Sequence, residues 1–126
     1  MCFYLPLGKA LGILNPYTSI LLIEFMSIQQ TLQNEIQESQ RALDGPIDDV
    51  IYRRDHSKRI ELINWVLENM KNPDISICEI IESKMNEIID RINQIDDAIE
   101  ADPLNGELRI LDWILYQVCS NEIKRI

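Results

Sequence analysis

The chain has 126 residues, which suits a single domain. Hydrophobic residues make up 46% of the chain and charged residues 26%, a composition that excludes general disorder. Acidic residues outnumber basic residues 21 to 12, and the net charge of −9 disfavours binding to nucleic acid or to an anionic membrane surface, because like charges repel.

Residues 1–25 form an apolar N-terminal stub that carries only two charges, Lys9 and Glu24. The whole net charge therefore belongs to residues 26–126, which we expect to form a single acidic helical-bundle domain. Prolines, glycines and polar residues interrupt the stub before any apolar run reaches the roughly 18–20 residues of a membrane span. We therefore expect no membrane association.

Two interpretations of the stub remain open. In the first, Asn15 caps a helix whose first residue is Pro16, a position where the missing N–H of proline costs no hydrogen bond. In the second, Met26 is the true start of the protein, and Ser27 begins a capping box with Gln30. The stub would then lie upstream of the protein itself.

Two helices are predicted next. In residues 27–43, apolar side chains recur at helical spacing on one narrow face, and Asp44-Gly45-Pro46 ends that helix. A second apolar stripe then runs to Met70. Asn72-Pro73 stops it, because the residue before a proline disfavours helical geometry. The pattern leaves open whether the polar stretch 53–57 bends.

The third predicted helix has the strongest pattern in the chain. Ser76 and Glu79 form an S-x-x-E capping box. From Cys78 to Ile99, apolar residues then recur at alternating spacings of three and four, a heptad seam typical of a coiled coil. The same seam could face a second copy or the inside of one bundle, and the sequence leaves both open.

The fourth helix is predicted to begin at about Leu104 or Glu107, after the turn signals Asp102-Pro103 and Asn105-Gly106, and to end near Lys124. Apolar residues cover more than half of its circumference, so we expect it to be central or covered by a partner. Short loops make neighbouring helices antiparallel. The predicted fold is an all-α, antiparallel helical bundle of about four helices with a coiled-coil-like third helix.

The pattern of cysteines and the single histidine predicts no metal-binding, redox or catalytic role. Cys78 and Cys119 lie among apolar residues, and we expect them to be free and buried as small hydrophobic side chains. Three cysteines without a CxxC pair and one histidine, His56, cannot supply an ordinary zinc site. We expect His56 to be a surface residue or to lie at a helix start near Ser57. A cytoplasmic location follows from the sparse cysteines.

Paired carboxylates on the third helix raise the possibility of a magnesium site. Glu79 and Glu82, and then Glu87 and Asp90, share a helical face at i, i+3. In helical nucleotide pyrophosphohydrolases, two such pairs converge from different helices. Here both lie on one predicted helix and cannot face each other, so we expect a solvated surface. The prediction is a protein that is not an enzyme, with no catalytic residue, metal or cofactor.

A basic cluster is the one place where the charge reverses. It consists of Arg53, Arg54, Lys58 and Arg59. Arginine forks can hold a phosphate or an acidic partner patch. The same residues can also neutralise acidic neighbours within the bundle, and the sequence leaves both open.

The function predicted best is a protein-protein interaction module, an adaptor, assembly factor or regulator that binds itself or a larger partner. An acidic inhibitor of the phage or mobile-element type, which covers a basic site on its partner, is the first alternative. A small magnesium-dependent hydrolase is the second. The partner-interface candidates are Ile81, Met85, Ile88, Ile92, Ile95, Ile99, Trp65 and Trp113.

Overall fold

The computed structural model describes residues 16–124, and the side chains of residues 26–119. The described residues form four helices and no strand, and the helices pack as a bundle, so the predicted all-α fold is confirmed. The helices are α1 (Pro16–Asp44), α2 (Val50–Met70), α3 (Ile77–Asn93) and α4 (Ala98–Lys124).

The first helix begins at Pro16, as the first interpretation of the stub predicts. Asn15, its expected cap, lies outside the described residues. Ser27 lies inside α1 instead of at a helix start, and its carbonyl accepts a hydrogen bond from Thr31 Oγ1 at 2.9 Å. The predicted capping box at Ser27 is therefore wrong. The helix ends at a turn in which the Gly45 N–H donates to the Ala42 carbonyl.

The second helix continues without a break through the polar stretch 53–57. Asp49 is its N-cap, and one carboxylate oxygen accepts the Tyr52 N–H at 2.9 Å, which satisfies a donor that the helix leaves free. The helix stops at Lys71, just before Asn72-Pro73, as predicted.

The third helix is shorter than its heptad pattern predicts. It ends at Asn93, so Ile95 lies in the following loop and Ile99 in the first turn of α4. The prediction of one seam through Ile99 is therefore wrong. The reason is a competing helix start: a carboxylate oxygen of Asp97 accepts the Ile99 N–H at 2.9 Å. Ser76 is the N-cap of α3, but its side chain makes no capping hydrogen bond.

The fourth helix continues through Asp102-Pro103 and Asn105-Gly106, which the sequence predicts as turns. It begins at Ala98, six residues before Leu104, and contains Pro103 and Gly106. Burial of Ala101 and Leu104 in the core stabilises this first part of the helix against the proline. At Gly106 a Cβ atom would lie 3.2 Å from Asp55 Oδ1, so the glycine permits close packing of α2 and α4.

The contacts between helices fix their directions. Ser39 contacts His56 and Glu35 contacts Arg59, so α1 and α2 are antiparallel. The pairing of Cys78 with Cys119, and the groove shared by Met85 and Asp112, make α3 and α4 antiparallel. In contrast, Arg54 meets Asp102 while Arg59 and Ile110 line one cleft, so α2 and α4 are parallel.

The bundle therefore consists of two antiparallel hairpins joined along α2 and α4. The α1 helix packs outside α2 and α3 packs outside α4, while α1 and α3 do not touch each other in the described part of the chain. The order of packing is therefore approximately symmetric about α2 and α4, where residues 48 apart meet, as in the pair Arg54–Asp102.

The two hairpins also share a residue pattern. The segment Ile47-Asp48-Asp49-Val50-Ile51 at the start of α2 recurs as Ile95-Asp96-Asp97-Ala98-Ile99 at the start of α4. The same offset of 48 residues pairs Trp65 with Trp113. In the outer helices, an offset of 49 pairs the buried side chains Leu32 and Ile81. The pattern therefore agrees with the approximate symmetry.

The core lies between the hairpins. Its fully buried members include Leu32, Leu62, Ile63, Val66, Ile81, Ile88, Leu111 and Ile114. Each such side chain contributes about 1.5–3 kcal/mol when it leaves water. The α4 helix contacts all three other helices, which explains its wide apolar surface. Within residues 16–124, no helix combines the length and the apolar character that crossing a membrane requires.

Candidate functional site

Exposed apolar side chains concentrate at one end of the bundle, where the α1–α2 loop and the α3–α4 loop lie. Among the described residues, seven large hydrophobic side chains are exposed, and four of them belong to this end. These four, which we call the loop-end patch, are Ile47, Val50, Ile51 and Ile99, with exposed fractions of 49%, 81%, 54% and 83%. A cluster of exposed apolar side chains on a small protein is a candidate interaction surface.

Two members of the patch, Ile51 and Ile99, line a groove between the first turns of α2 and α4. Ile51, Ala98 and Ile99 form its apolar wall, and its volume is about 470 Å³. Arg54 and Asp102 lie along the same groove, and their ion pair at 3.0 Å joins the two helices. The two central isoleucines, Ile51 and Ile99, occupy equivalent positions in the two hairpins.

Hydrogen bonds hold the backbone of the patch in place. Asp49 and Asp97 cap α2 and α4, so Val50, Ile51 and Ile99 lie on capped first turns. Arg53 donates from Nη1 to the Ile47 carbonyl at 3.3 Å, which ties the preceding loop to α2. These contacts fix the backbone that carries the patch.

Most of the net charge lies at the same end. The segments 44–55 and 94–102 contain eight carboxylates and two guanidinium groups, a net charge of −6 out of −9 for the chain. The N-termini of α2 and α4 meet the C-termini of α1 and α3 at this end, so the opposite charges of the helix dipoles cancel and the carboxylates leave this end strongly negative.

The eight carboxylates divide into two groups. Five act within the fold, as helix caps, as partners of Arg54 or as the acceptor for Gln40: Asp44, Asp49, Asp55, Asp97 and Asp102. The other three are exposed and have no hydrogen-bond or ion-pair partner among the described residues: Asp48, Asp96 and Glu100. These three are available to a partner.

The residues of the predicted heptad seam do not form one free face. Ile81 and Ile88 are buried in the core, at 0% and 2% exposure, so the folded chain does not present them to a second copy. Met85, Ile92 and Ile95 are half-buried. Of the seam candidates, Ile99 alone is strongly exposed, and it belongs to the loop-end patch.

The two tryptophans are both half-buried flanks of the bundle. Lys84 Nζ lies 5.1 Å from the ring centroid of Trp65, within the range of a cation–π contact. Trp113 lines a cleft of about 280 Å³ with Arg59 and Arg109. The buried Arg59 Nε has no hydrogen-bond partner in the described part of the chain.

The basic cluster is engaged within the chain. Arg59 pairs with Glu35 at 3.1 Å, Lys58 pairs with Glu61 at 3.1 Å, and Arg53 binds a loop carbonyl. Arg54 pairs with Asp55 and Asp102, and its hydrogen bond to Asp102 raises the pKa of the guanidinium. These contacts favour the intramolecular interpretation of the cluster.

The paired carboxylates of α3 are all exposed on its surface: Glu79, Glu82, Glu87 and Asp90. In residues 16–124, no three His, Cys, Asp or Glu side chains come together as metal ligands.

The prediction that Cys78 and Cys119 are free is wrong. Cys78 and Cys119 form a disulfide, because the antiparallel register of α3 and α4 brings their Cα atoms to 6.1 Å. The bond joins the ends of the hairpin that lie opposite its loop. Cys2 lies outside the described residues.

His56 lies in the middle of α2, so the prediction of a helix-start histidine is wrong. It is half-buried, and its Nδ1 lies 3.1 Å from the hydroxyl oxygen of the buried Ser39. The edge of the Tyr52 ring meets the imidazole at 4.5 Å between centroids. The histidine therefore connects α1 to α2.

Sequence reasoning missed the loop-end patch as a site. The sequence pattern places Ile47, Val50 and Ile51 at the start of the apolar stripe that runs to Met70, which predicts burial. Only the packing shows that these side chains stay exposed. The available signal was the repeated Ile-Asp-Asp-x-Ile segment, in which the first aspartate is exposed and unpaired among the described residues and the second caps the following helix. Comparison with models of protein families, with curated proteins and with solved structures finds no match for this chain.

Proposed function

We propose that this chain is a non-enzymatic protein-interaction module that binds its partner through the loop-end patch. The observation that carries the proposal is the gathering of four exposed apolar side chains at one end of the bundle. A partner that covers them removes apolar surface from water, at about 25 cal/mol for each Å². An adaptor, assembly factor or regulator needs such a surface and no catalytic group.

The partner is a different protein in this proposal. Two copies joined through the loop-end patch would bring together two surfaces of charge −6, and like-charge contact across an interface is unfavourable. Self-association through the seam around Ile88 is also disfavoured, because that side chain is used by the core of the same chain.

An acidic inhibitor that covers a basic site is a second candidate function. The concentration of charge at the loop end favours it. The two functions differ in what drives binding: a complex held by the apolar patch survives about 0.5 M salt, whereas a complex held by charge alone dissociates as salt screens it.

The location of the chain is tested separately. The sequence predicts the cytoplasm, but the disulfide between Cys78 and Cys119 favours an oxidising compartment. Alkylation of free thiols before and after reduction, applied to protein from fractionated cells, measures whether the disulfide is present and in which compartment.

The interaction is tested by crosslinking and affinity purification from the source cells. We expect a partner to be captured by the wild-type chain and lost with Ile51→Asp. Tyr116→Asp is the matched control, because Tyr116 is 62% exposed on α4 and lies outside the patch. Thermal unfolding of each variant checks that the fold is retained. A partner that is captured equally by both variants, or lost with both, would contradict the proposal.

A further inference from the structure

The chemistry of the loop-end patch also specifies its partner. Ile51, Ala98 and Ile99 form the apolar wall of the groove, which the Arg54–Asp102 ion pair also lines. The free carboxylates Asp48, Asp96 and Glu100 belong to the segments 47–51 and 95–100 that carry the exposed isoleucines. A complementary surface therefore has apolar side chains in the centre and cationic side chains around them. Anionic macromolecules, including nucleic acid and acidic lipid, are repelled by the same carboxylates.

The secondary structure around the groove indicates whether the bound segment of the partner is extended or helical. Residues 16–124 contain no strand, so an extended peptide has no sheet edge on which to add its backbone. The groove lies between two parallel helices, and a third helix can place one row of side chains into it. A helix also separates an apolar stripe from flanking charges by its spacing of three and four residues.

We propose, as an extension of the proposed function and resting on it, that the loop-end patch binds a basic amphipathic helix of a partner protein. The apolar stripe of that helix fills the groove between Ile51 and Ile99. Its lysine and arginine side chains pair with Asp48, Asp96 and Glu100. Because the two corners of the patch repeat the same Ile-Asp-Asp-x-Ile segment, both contribute to binding in a comparable way.

The probe is a displayed library of helical peptides of about 20 residues, selected on the full-length oxidised protein. We expect the selected peptides to carry a net positive charge and apolar residues at i, i+3, i+4 and i+7. Their affinity should fall at least about tenfold with Ile51→Asp and with Ile99→Asp, and the two losses should agree within about threefold. Tyr116→Asp should leave the affinity unchanged.

A charge-matched pair of variants isolates the carboxylates. The triple variant Asp48→Asn, Asp96→Asn, Glu100→Gln should weaken peptide binding about tenfold at low salt, and this difference should shrink at about 0.5 M salt. The control Glu79→Gln, Glu82→Gln, Glu87→Gln removes the same charge from α3, away from the patch, and should have little effect.

The outcomes separate the two proposals. Selected peptides that depend on Ile51 and Ile99 but are neutral or acidic would overturn the basic partner and keep the interaction surface. Peptides that bind the patch variants as tightly as the wild type, or a library that yields no binder, would overturn both. An equal loss with the two triple variants would show general charge attraction and also overturn the specific pairing with Asp48, Asp96 and Glu100.

Discussion

The two hairpins of the bundle fill equivalent positions with different chemistry. In the α1–α2 hairpin, Ser39 and His56 meet at 3.1 Å in a hydrogen bond. The positions that correspond to them in the α3–α4 hairpin hold Ile88 and Leu104, and both are buried in the core. The same positions of the sequence repeat therefore hold a satisfied polar pair in one hairpin and two separate core side chains in the other.

The hairpins also differ in how their ends are closed. The disulfide Cys78–Cys119 closes α3–α4 opposite its loop. The α1–α2 hairpin, residues 16–70, contains no cysteine and therefore no covalent link. The α1–α2 hairpin instead depends on its polar contacts, on Leu32 and on the Glu35–Arg59 pair. We therefore expect the two hairpins to respond differently to reduction and to polar substitutions.

Removal of the disulfide should have the largest effect. The double variant Cys78→Ala, Cys119→Ala, or a reducing agent, frees a loop of 41 residues in the unfolded chain. The chain-entropy relation predicts a loss of about 4 kcal/mol in the free energy of unfolding. Urea unfolding with and without reductant measures it, and Cys2→Ala is the control. An unchanged midpoint in reductant would show that the link does not stabilise the fold.

Substitution in the central pair of helices should have nearly equal effects on the two hairpins. Ile63 in α2 and Leu111 in α4 are equivalent, and both have 0% exposure. Ile63→Ala and Leu111→Ala should each lower the free energy of unfolding by about 3 kcal/mol, through lost burial and a cavity. Chemical denaturation measures both. A difference of more than about 2 kcal/mol would show that the symmetry of the pattern does not extend to energetics.

The hydrogen bond between Ser39 and His56 should contribute less to stability than a core side chain, and an apolar pair should be able to replace it. Ser39→Ala removes the partner of His56 and should cost about 1 kcal/mol. Ser57→Ala, an exposed position on α2, should change stability by less than about 0.5 kcal/mol. The double variant Ser39→Ile, His56→Leu copies the other hairpin and should recover the loss. A double variant that is less stable than Ser39→Ala would mean that the two sites differ in shape as well as in chemistry.

The sequence predicted the elements better than their ends and their surroundings. The start of α1 at Pro16 and the wide apolar surface of α4 follow from local chemistry and periodicity. The start of α4 did not, because the cap at Asp97 and tertiary burial outweigh the local signal of Pro103. The pairing of Cys78 with Cys119 depends on the register of α3 and α4. The exposure of the loop-end patch depends on how the helices and loops pack around it. Neither is a property of local sequence.

The ion pair between Glu35 and Arg59 should have the smallest effect on the free energy of unfolding. It also distinguishes the α1–α2 hairpin from the α3–α4 hairpin. Both side chains are 29% exposed, so solvent screens the pair and its contribution should stay below about 1 kcal/mol. The sequence repeat places Lys84 and Glu107 at the corresponding positions with the charges reversed, but the described residues contain no ion pair between them. The measurement is a double-mutant cycle with Glu35→Gln and Arg59→Gln at low and high salt. The control is Glu38→Gln, whose pair with Arg41 is more than 60% exposed and should contribute almost nothing.

Because Arg59 also keeps its Nε buried without a partner, loss of Glu35 leaves that guanidinium poorly compensated. A coupling energy that disappears in high salt would place the pair at the surface, whereas one that persists would make it part of what holds α1 onto α2 in the absence of a disulfide.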